Sequence, residues 1–342
     1  MNVSLDDYEY EKYACKNVNE IPTMLEKYGV AILPSVLNEE ECSNMKSGMW
    51  DYLETVTKNF DTPMDRDNSD TWKEIKKLWI KHSMLIQNWS IGHAQFIWDL
   101  RQNQKIIDVF STIWNTPAED LLVSFDGASV NFPPETTKFG WAKKDKTWLH
   151  SDQCFLRNGF ECIQSWVTAY DVNPGDATLT FLEGSHKYHK DFKTYKDQTM
   201  KEGSDELFKK AGDWYKLDSP DELDFYINKN QCSQKCIICP AGSICLWDSR
   251  TIHCGLEALK EREEPNTRCV AYLCYTPRSL ASETVLAKKI KAFKNLRTTN
   301  HWAHKPLLFS TMPRTYGAPI APIASIDAPT GITDLGKRLI GF

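Results

Sequence analysis

Hydrophobic and polar positions change their period along the chain. In the first third, apolar residues recur at helical spacing, which predicts helices over 17–28, 38–58, 70–82 and 102–114. The second opens Asn38-Glu39-Glu40-Glu41, a side-chain cap followed by an acidic first turn. From about 121 the pattern shortens to apolar runs bounded by turns. Ile163 to Tyr170 is followed by Asp171-Val172-Asn173-Pro174-Gly175-Asp176, then Ala177 to Leu182; Pro240-Ala241-Gly242 feeds Ser243 to Asp248, and Cys269 to Tyr275 follows. Strand, turn and strand repeat, so the expected fold is mainly β with flanking helices, a cupin-like jelly roll over about 121–278. A polar insert at 187–230, rich in Lys, Asp and Tyr, interrupts it where a lid often sits. A basic helix is expected at 282–297, and the Pro, Gly and Ala beyond about 305 predict irregular chain. The organisation expected is one domain over 1–342: a helical part to about 120, the core, then a helix and tail over 279–342.

Composition fits a soluble enzyme. The chain has 342 residues, 41% hydrophobic and 25% charged, enough for a sizeable core. No apolar run approaches the roughly 18 residues of a membrane span. The acidic start, from Met1 to Tyr13, lacks the features of a secretory signal, so a cytoplasmic location without a membrane partner is expected. There the 11 cysteines are expected as free thiols. Cys232, Cys236, Cys239 and Cys245 are spaced like zinc ligands, yet three of them lie in or beside apolar strand segments and read as small buried hydrophobes. The net charge is −5, and Lys288, Lys289, Lys291, Lys294 and Arg297 read as a solvated face, so nucleic acid is not the expected partner.

Candidate chemistry sharpens this picture at Trp148-Leu149-His150-Ser151-Asp152. Residues at i and i+2 of a strand share a face, so His150 and Asp152 can grip one metal ion. A distant histidine, His253 in Ser-Arg-Thr-Ile-His-Cys-Gly, would complete two imidazoles and one carboxylate. That set suits ferrous iron, because it leaves positions free for a cosubstrate and O2.

The order of motifs WLHSDQ, SWVTAYDV, ATLTFLEGSHK, GSICLWDSRTIHCG and RCVAYLCYTPR, spanning 121–278, resembles the phytanoyl-CoA dioxygenase family. Tyr-Gly-Val-Ala-Ile-Leu-Pro at 28–34 is similar to the family's opening strand. The resemblance implies a double-stranded β-helix, and Fe(II) held by His150, Asp152 and His253 as the catalytic metal site. It also implies 2-oxoglutarate as cosubstrate, O2, ascorbate as an auxiliary reductant, and hydroxylation of a small molecule with release of succinate and CO2. Retention of Asp152 argues against a halogenase. The resemblance further predicts an arginine for the far carboxylate of 2-oxoglutarate. Counting from the distal histidine favours Arg262, which sits in a charged turn; Arg268 opens an apolar strand and is the expected anchor.

Position alone nominates Ser129, Asn131 and Thr168 as cosubstrate contacts, and reads Trp166 as core. Arg250 is divided between a surface turn and a role near the substrate. His186 and His189 of GSHKYH, and His301 and His304 of HWAH, are read as structural. The alternatives are a non-catalytic or 2-oxoglutarate-independent metal-binding cupin-like protein, and a hydroxylase of protein or nucleic acid.

Overall fold

Side chains in the strands alternate between two buried faces, and that alternation builds the molecule. The computed structural model describes residues 3–143 and 147–342. Its strands are β1 (Tyr8–Glu9), β2 (Val30–Leu33), β3 (Leu85–Ile86), β4 (Leu121–Val123), β5 (Ala128–Asn131), β6 (His150–Ser151) and β7 (Ile163–Thr168), then β8 (Thr178–Leu182), β9 (Tyr215–Lys216), β10 (Gln234–Ile237), β11 (Ile244–Asp248), β12 (His253–Leu256), β13 (Arg268–Tyr272) and β14 (Tyr275–Pro277). One six-stranded sheet runs β1-β10-β8-β12-β6-β9 and the other β2-β11-β7-β13-β5-β3. All pairings are antiparallel except β1 with β10. The two sheets form a jelly roll, as the turn-bounded runs predict.

Between the sheets lie Ile32, Trp166, Cys245, Trp247 and Val270 from one side, and Leu179, Phe181 and Ile237 from the other. The alternate residues of the second sheet, among them Ile163, Val167, Ile244, Leu246 and Ala271, point outward and pack on the helices. A sheet covered on both faces reads as continuous apolar runs, which is why these strands stand out in the sequence. The main helical cover is Glu39–Thr57, whose Asn38 side chain accepts from Glu41 N–H while the Glu41 carboxylate accepts from Asn38 N–H.

Several expected elements differ in detail. The stretch predicted as a helix at 70–82 is a 3₁₀ helix, Ser69–Leu78, ending at left-handed Trp79 (φ 58°). The helix expected at 17–28 is a 3₁₀ turn, Val18–Glu20, followed by Ile21–Tyr28. A helix at Gln95–Arg101 precedes Gln104–Trp114, and the tail carries one at Asp334–Ile340. The sheets also recruit strands from before residue 121, including β2 and β3. The insert is helical, with helices at His189–Thr199 and Asp205–Ala211, and its aromatic residues Phe192, Phe208, Tyr215 and Tyr226 pack on Leu149, Phe155 and Leu182. Lys289, read as part of a solvated face, is buried, and its Nζ donates to Val123 O at 2.6 Å. All 11 cysteines are free and buried. Among the described residues no helix is long and apolar enough to cross a membrane.

Candidate metal centre

His150 on β6 and His253 on β12 are direct partners across an antiparallel pair, and their ring centroids lie 4.5 Å apart. Each ring is held from two residues back: His150 Nδ1 is 3.0 Å from Trp148 O, and His253 Nδ1 is 2.8 Å from Thr251 O. A nitrogen facing a carbonyl must carry the proton and donate, which makes Nε2 the unprotonated, accepting nitrogen of each ring; on His253 it accepts from Trp247 Nε1 at 3.1 Å. The chain leaves the sheet after Ser151, and the Asp152 N–H donates to Ser249 O at 3.1 Å. Its Oδ2 then sits 3.5 Å from His150 Nε2 and 3.4 Å from His253 Nε2. One donor atom from each of the three residues falls within 4.8 Å of the others. Among the described residues no other group of three or more His, Cys, Asp or Glu converges this way, so Cys232, Cys236, Cys239 and Cys245 form no metal cluster.

The electrostatics suit a cation. Burial pushes the Asp152 carboxyl up, but the nearby imidazoles of His150, His301 and His253 outweigh it and hold it well below the usual range. Burial, then His150, pushes His253 down. An ionised carboxylate beside a neutral imidazole is the protonation state that metal ligation demands.

Three residues not singled out as site residues in the sequence frame the triad. Gln164 on β7 donates to Asp152 Oδ2 at 2.9 Å, and Trp247 Nε1 on β11 lies 3.1 Å from His253 Nε2. These two are register partners, so one rung of the second sheet borders the position a metal would take. Trp148 stacks on His150 (5.0 Å between centroids, 10° between planes) and is itself covered by His82 at 3.8 Å. The available signal was a glutamine two residues before Trp166, on the same strand face: a polar side chain on an inner face needs a partner there.

The two candidate arginines have opposite surroundings. Arg262 is buried between carboxylates, donating to Asp176 Oδ1 at 2.6 Å and to both Glu135 oxygens at 3.0 and 2.5 Å. Arg268 is also buried, on the same face of β13 as Val270, with its guanidinium 5.3 Å from the Trp166 ring. It donates to Ser129 Oγ at 3.0 Å and Ala177 O at 3.2 Å, and among the described residues pairs with no carboxylate. Asn131 lies opposite Arg268 in register; its Nδ2 donates to Ser83 O at 3.2 Å, and its buried Oδ1 has no partner. The Thr168 hydroxyl closes on its own strand end, donating to Tyr170 O at 2.7 Å. Trp166 is fully buried in the barrel interior, with its indole N–H unpartnered. Arg250 is tied to Asp248 at 2.9 and 2.6 Å. His186 faces Glu26 O at 3.0 Å and His189 faces Cys154 O at 3.3 Å, both structural contacts.

Fold and donor set together define a jelly-roll protein with a mononuclear non-haem metal centre. The phytanoyl-CoA dioxygenase (PhyH) family model matches residues 25–258, and the chain belongs to that family. Ava biosynthesis cluster protein O of Aspergillus versicolor is 25% identical over 251 residues, covering 72% of this chain and 75% of that protein. In fold the chain is similar to hypothetical protein JW0805 of Escherichia coli (TM-score 0.54, 13% identity, 94% of this chain and 81% of that one). A similar likeness holds for GlcNAc Inducible Gene 2 of Candida albicans (TM-score 0.50, 12% identity, 97% and 81%). Ferrous iron and 2-oxoglutarate are the family's cofactors, and the residues present fit both. Two imidazoles and a carboxylate converge on one point, and among the described residues a buried guanidinium pairs with no carboxylate.

Proposed function

We propose that the chain is an Fe(II)- and 2-oxoglutarate-dependent dioxygenase that hydroxylates an unactivated C–H bond of a small molecule, releasing succinate and CO2. One observation carries the reading: His150, Asp152 and His253 converge while, among the described residues, Arg268 inside the same barrel pairs with no carboxylate. A buried cation without a carboxylate is costly, and a dicarboxylate cosubstrate removes that cost.

When bound, the metal with 2-oxoglutarate and O2 supplies the oxidising step. The protein's part is positioning. His150, Asp152 and His253 would hold the metal, and a three-ligand set would leave it free to take 2-oxoglutarate and O2. Gln164 fixes the orientation of Asp152 through Oδ2. Arg268 grips the far carboxylate of 2-oxoglutarate, and Ser129 sets the tilt of its planar fork. Asn131 offers its free Oδ1 to a ligand donor. Thr168 is the weakest contact of the set, because its hydroxyl must first leave Tyr170 O. Trp148, Trp166 and Trp247 line the site and keep water from it.

The test is anaerobic addition of Fe(II) and then 2-oxoglutarate, with the visible metal-to-ligand charge-transfer band as the readout. The band should form in the unaltered protein and vanish in Asp152→Ala. No band in the unaltered protein sinks the reading.

A further inference from the structure

Two side chains outside the metal set border it from different parts of the chain. Trp214 is 51% exposed, although most of the insert's other aromatic rings are covered. Its ring centroid is 5.7 Å from that of His150. It directly precedes β9, whose pairing with β6 (His150↔Lys216, Ser151↔Tyr215) fixes Trp214 against the ligand-bearing strand. His301 comes from the segment after the basic helix. The preceding turn is pinned by Thr299 N–H to Phe125 O at 2.9 Å, and the following Trp302 is fully buried against Cys162 and Cys274. His301 was read as structural in the sequence, yet its Nε2 is buried with no hydrogen-bond partner among the described residues. Trp302, the next residue, has the Arg157 guanidinium 5.5 Å from its ring, and Arg157 pairs with Asp213, so the segment carrying His301 runs beside the one carrying Trp214. Lys305 Nζ lies 3.4 Å from Asp213 Oδ2, which ties the two segments together beside His150.

Resting on the oxygenase reading, we propose that Trp214 and His301 form the substrate subsite, shaped for a flat, uncharged molecule carrying a hydrogen-bonding group such as an amide. An exposed indole beside a metal ligand offers an apolar face on which a planar ring stacks. A buried imidazole nitrogen with nothing to bond costs free energy until a ligand supplies the partner. Among the described residues, the cations flanking Trp214 and His301 are paired: Arg157 with Glu161 and Asp213, and Lys305 with Asp213. That charge balance favours an uncharged ligand over a phosphorylated one.

The probe is indole-3-carboxamide, titrated without O2 into protein loaded with Fe(II) and 2-oxoglutarate, reading the shift of the charge-transfer band. Cyclohexanecarboxamide serves as the non-planar control. The unaltered protein should respond saturably to the first and weakly to the second. His301→Ala and Trp214→Ala should each weaken the response about tenfold. His301→Gln, which keeps a hydrogen-bonding group, and Trp214→Phe, which keeps a ring, should restore most of it. Calorimetric 2-oxoglutarate affinity and thermal midpoint should hold in all four variants, which separates a lost contact from a lost fold. The proposal is overturned if the unaltered protein does not respond, if it favours the cyclohexane, or if both alanine variants respond equally well. A protein that forms no band at all fails at the oxygenase reading, and the subsite falls with it.

Discussion

At the scale of single residues, the site depends on which groups are already satisfied. Arg262 is saturated by buried Asp176 and exposed Glu135, so Arg262→Ala leaves the Asp176 carboxylate uncompensated and should cost about 3 kcal/mol of stability, with 2-oxoglutarate affinity unchanged. Arg268→Ala should do the reverse, weakening 2-oxoglutarate about a hundredfold or more while the thermal midpoint holds. Calorimetric titration and thermal melts of both variants decide this, and the opposite ranking would move the anchor to Arg262. Gln164→Ala should lower metal affinity roughly ten- to a hundredfold, because Asp152 then loses its orienting donor. Acid should also unfold the protein through its histidines. His93 is fully buried, with Nε2 facing Arg297 O at 3.0 Å and Nδ1 accepting from Trp98 Nε1 at 3.4 Å. Burial, and then Arg101, pushes it down from 6.5 to about 3; burial pushes His189 to about 4. Between those values and 6.5 the unfolded chain binds more protons, so stability falls as pH is lowered through that window. Asp126, pushed up by burial from 3.8 to about 7, acts in the opposite sense. Melts from pH 7 to 4 should therefore drop, and His93→Gln should flatten the slope; an unchanged slope would remove His93 as the cause.

At the scale of elements, the insert does more than cover the core. Its strand β9 pairs with β6, so the element carrying His150 is held from the insert side. Phe192, fully buried among Phe155, Phe225 and Tyr226, anchors that unit. Phe192→Ala should cost about 3–5 kcal/mol and speed amide exchange at His150 and Ser151; exchange at its original rate would show that the insert does not brace the strand. The strands buried on both faces, β7, β8, β11 and β13, were legible as apolar runs, and His150-x-Asp152 was legible as a same-face pair. Two-residue strands such as β6 and β9 were not, because their existence depends on partners far along the chain rather than on local period. The helices Gln95–Arg101 and Asp334–Ile340 are barely two turns long, too short for periodicity to register. Lys289 was misjudged because a lysine at helical spacing reads as solvated, whereas this one ends at a buried carbonyl. Gln164 and His301 each needed the register or the path of a loop to reveal their neighbour.

At the scale of the whole molecule, the terminal helix Asp334–Ile340 closes the structure. Leu339 and Ile340 are fully buried, and Arg278 donates to Arg338 O and Gly341 O at 3.2 and 3.0 Å. Leu339→Ala should lower stability by about 2–5 kcal/mol, measured by urea unfolding, without altering metal affinity; loss of metal binding would mean that closure reaches the site. At one edge of each sheet the outermost pairing joins distant parts of the sequence: β2 lies against β11, with Val30 opposite Trp247, and β1 lies against β10. During synthesis, Val30–Leu33 therefore leaves the ribosome as an apolar edge whose partner has not yet been translated. Such an edge invites association with other nascent chains, and chaperones guard against it. His150 and Asp152 likewise wait for His253, so the three candidate ligands can meet only after about a hundred further residues have been made.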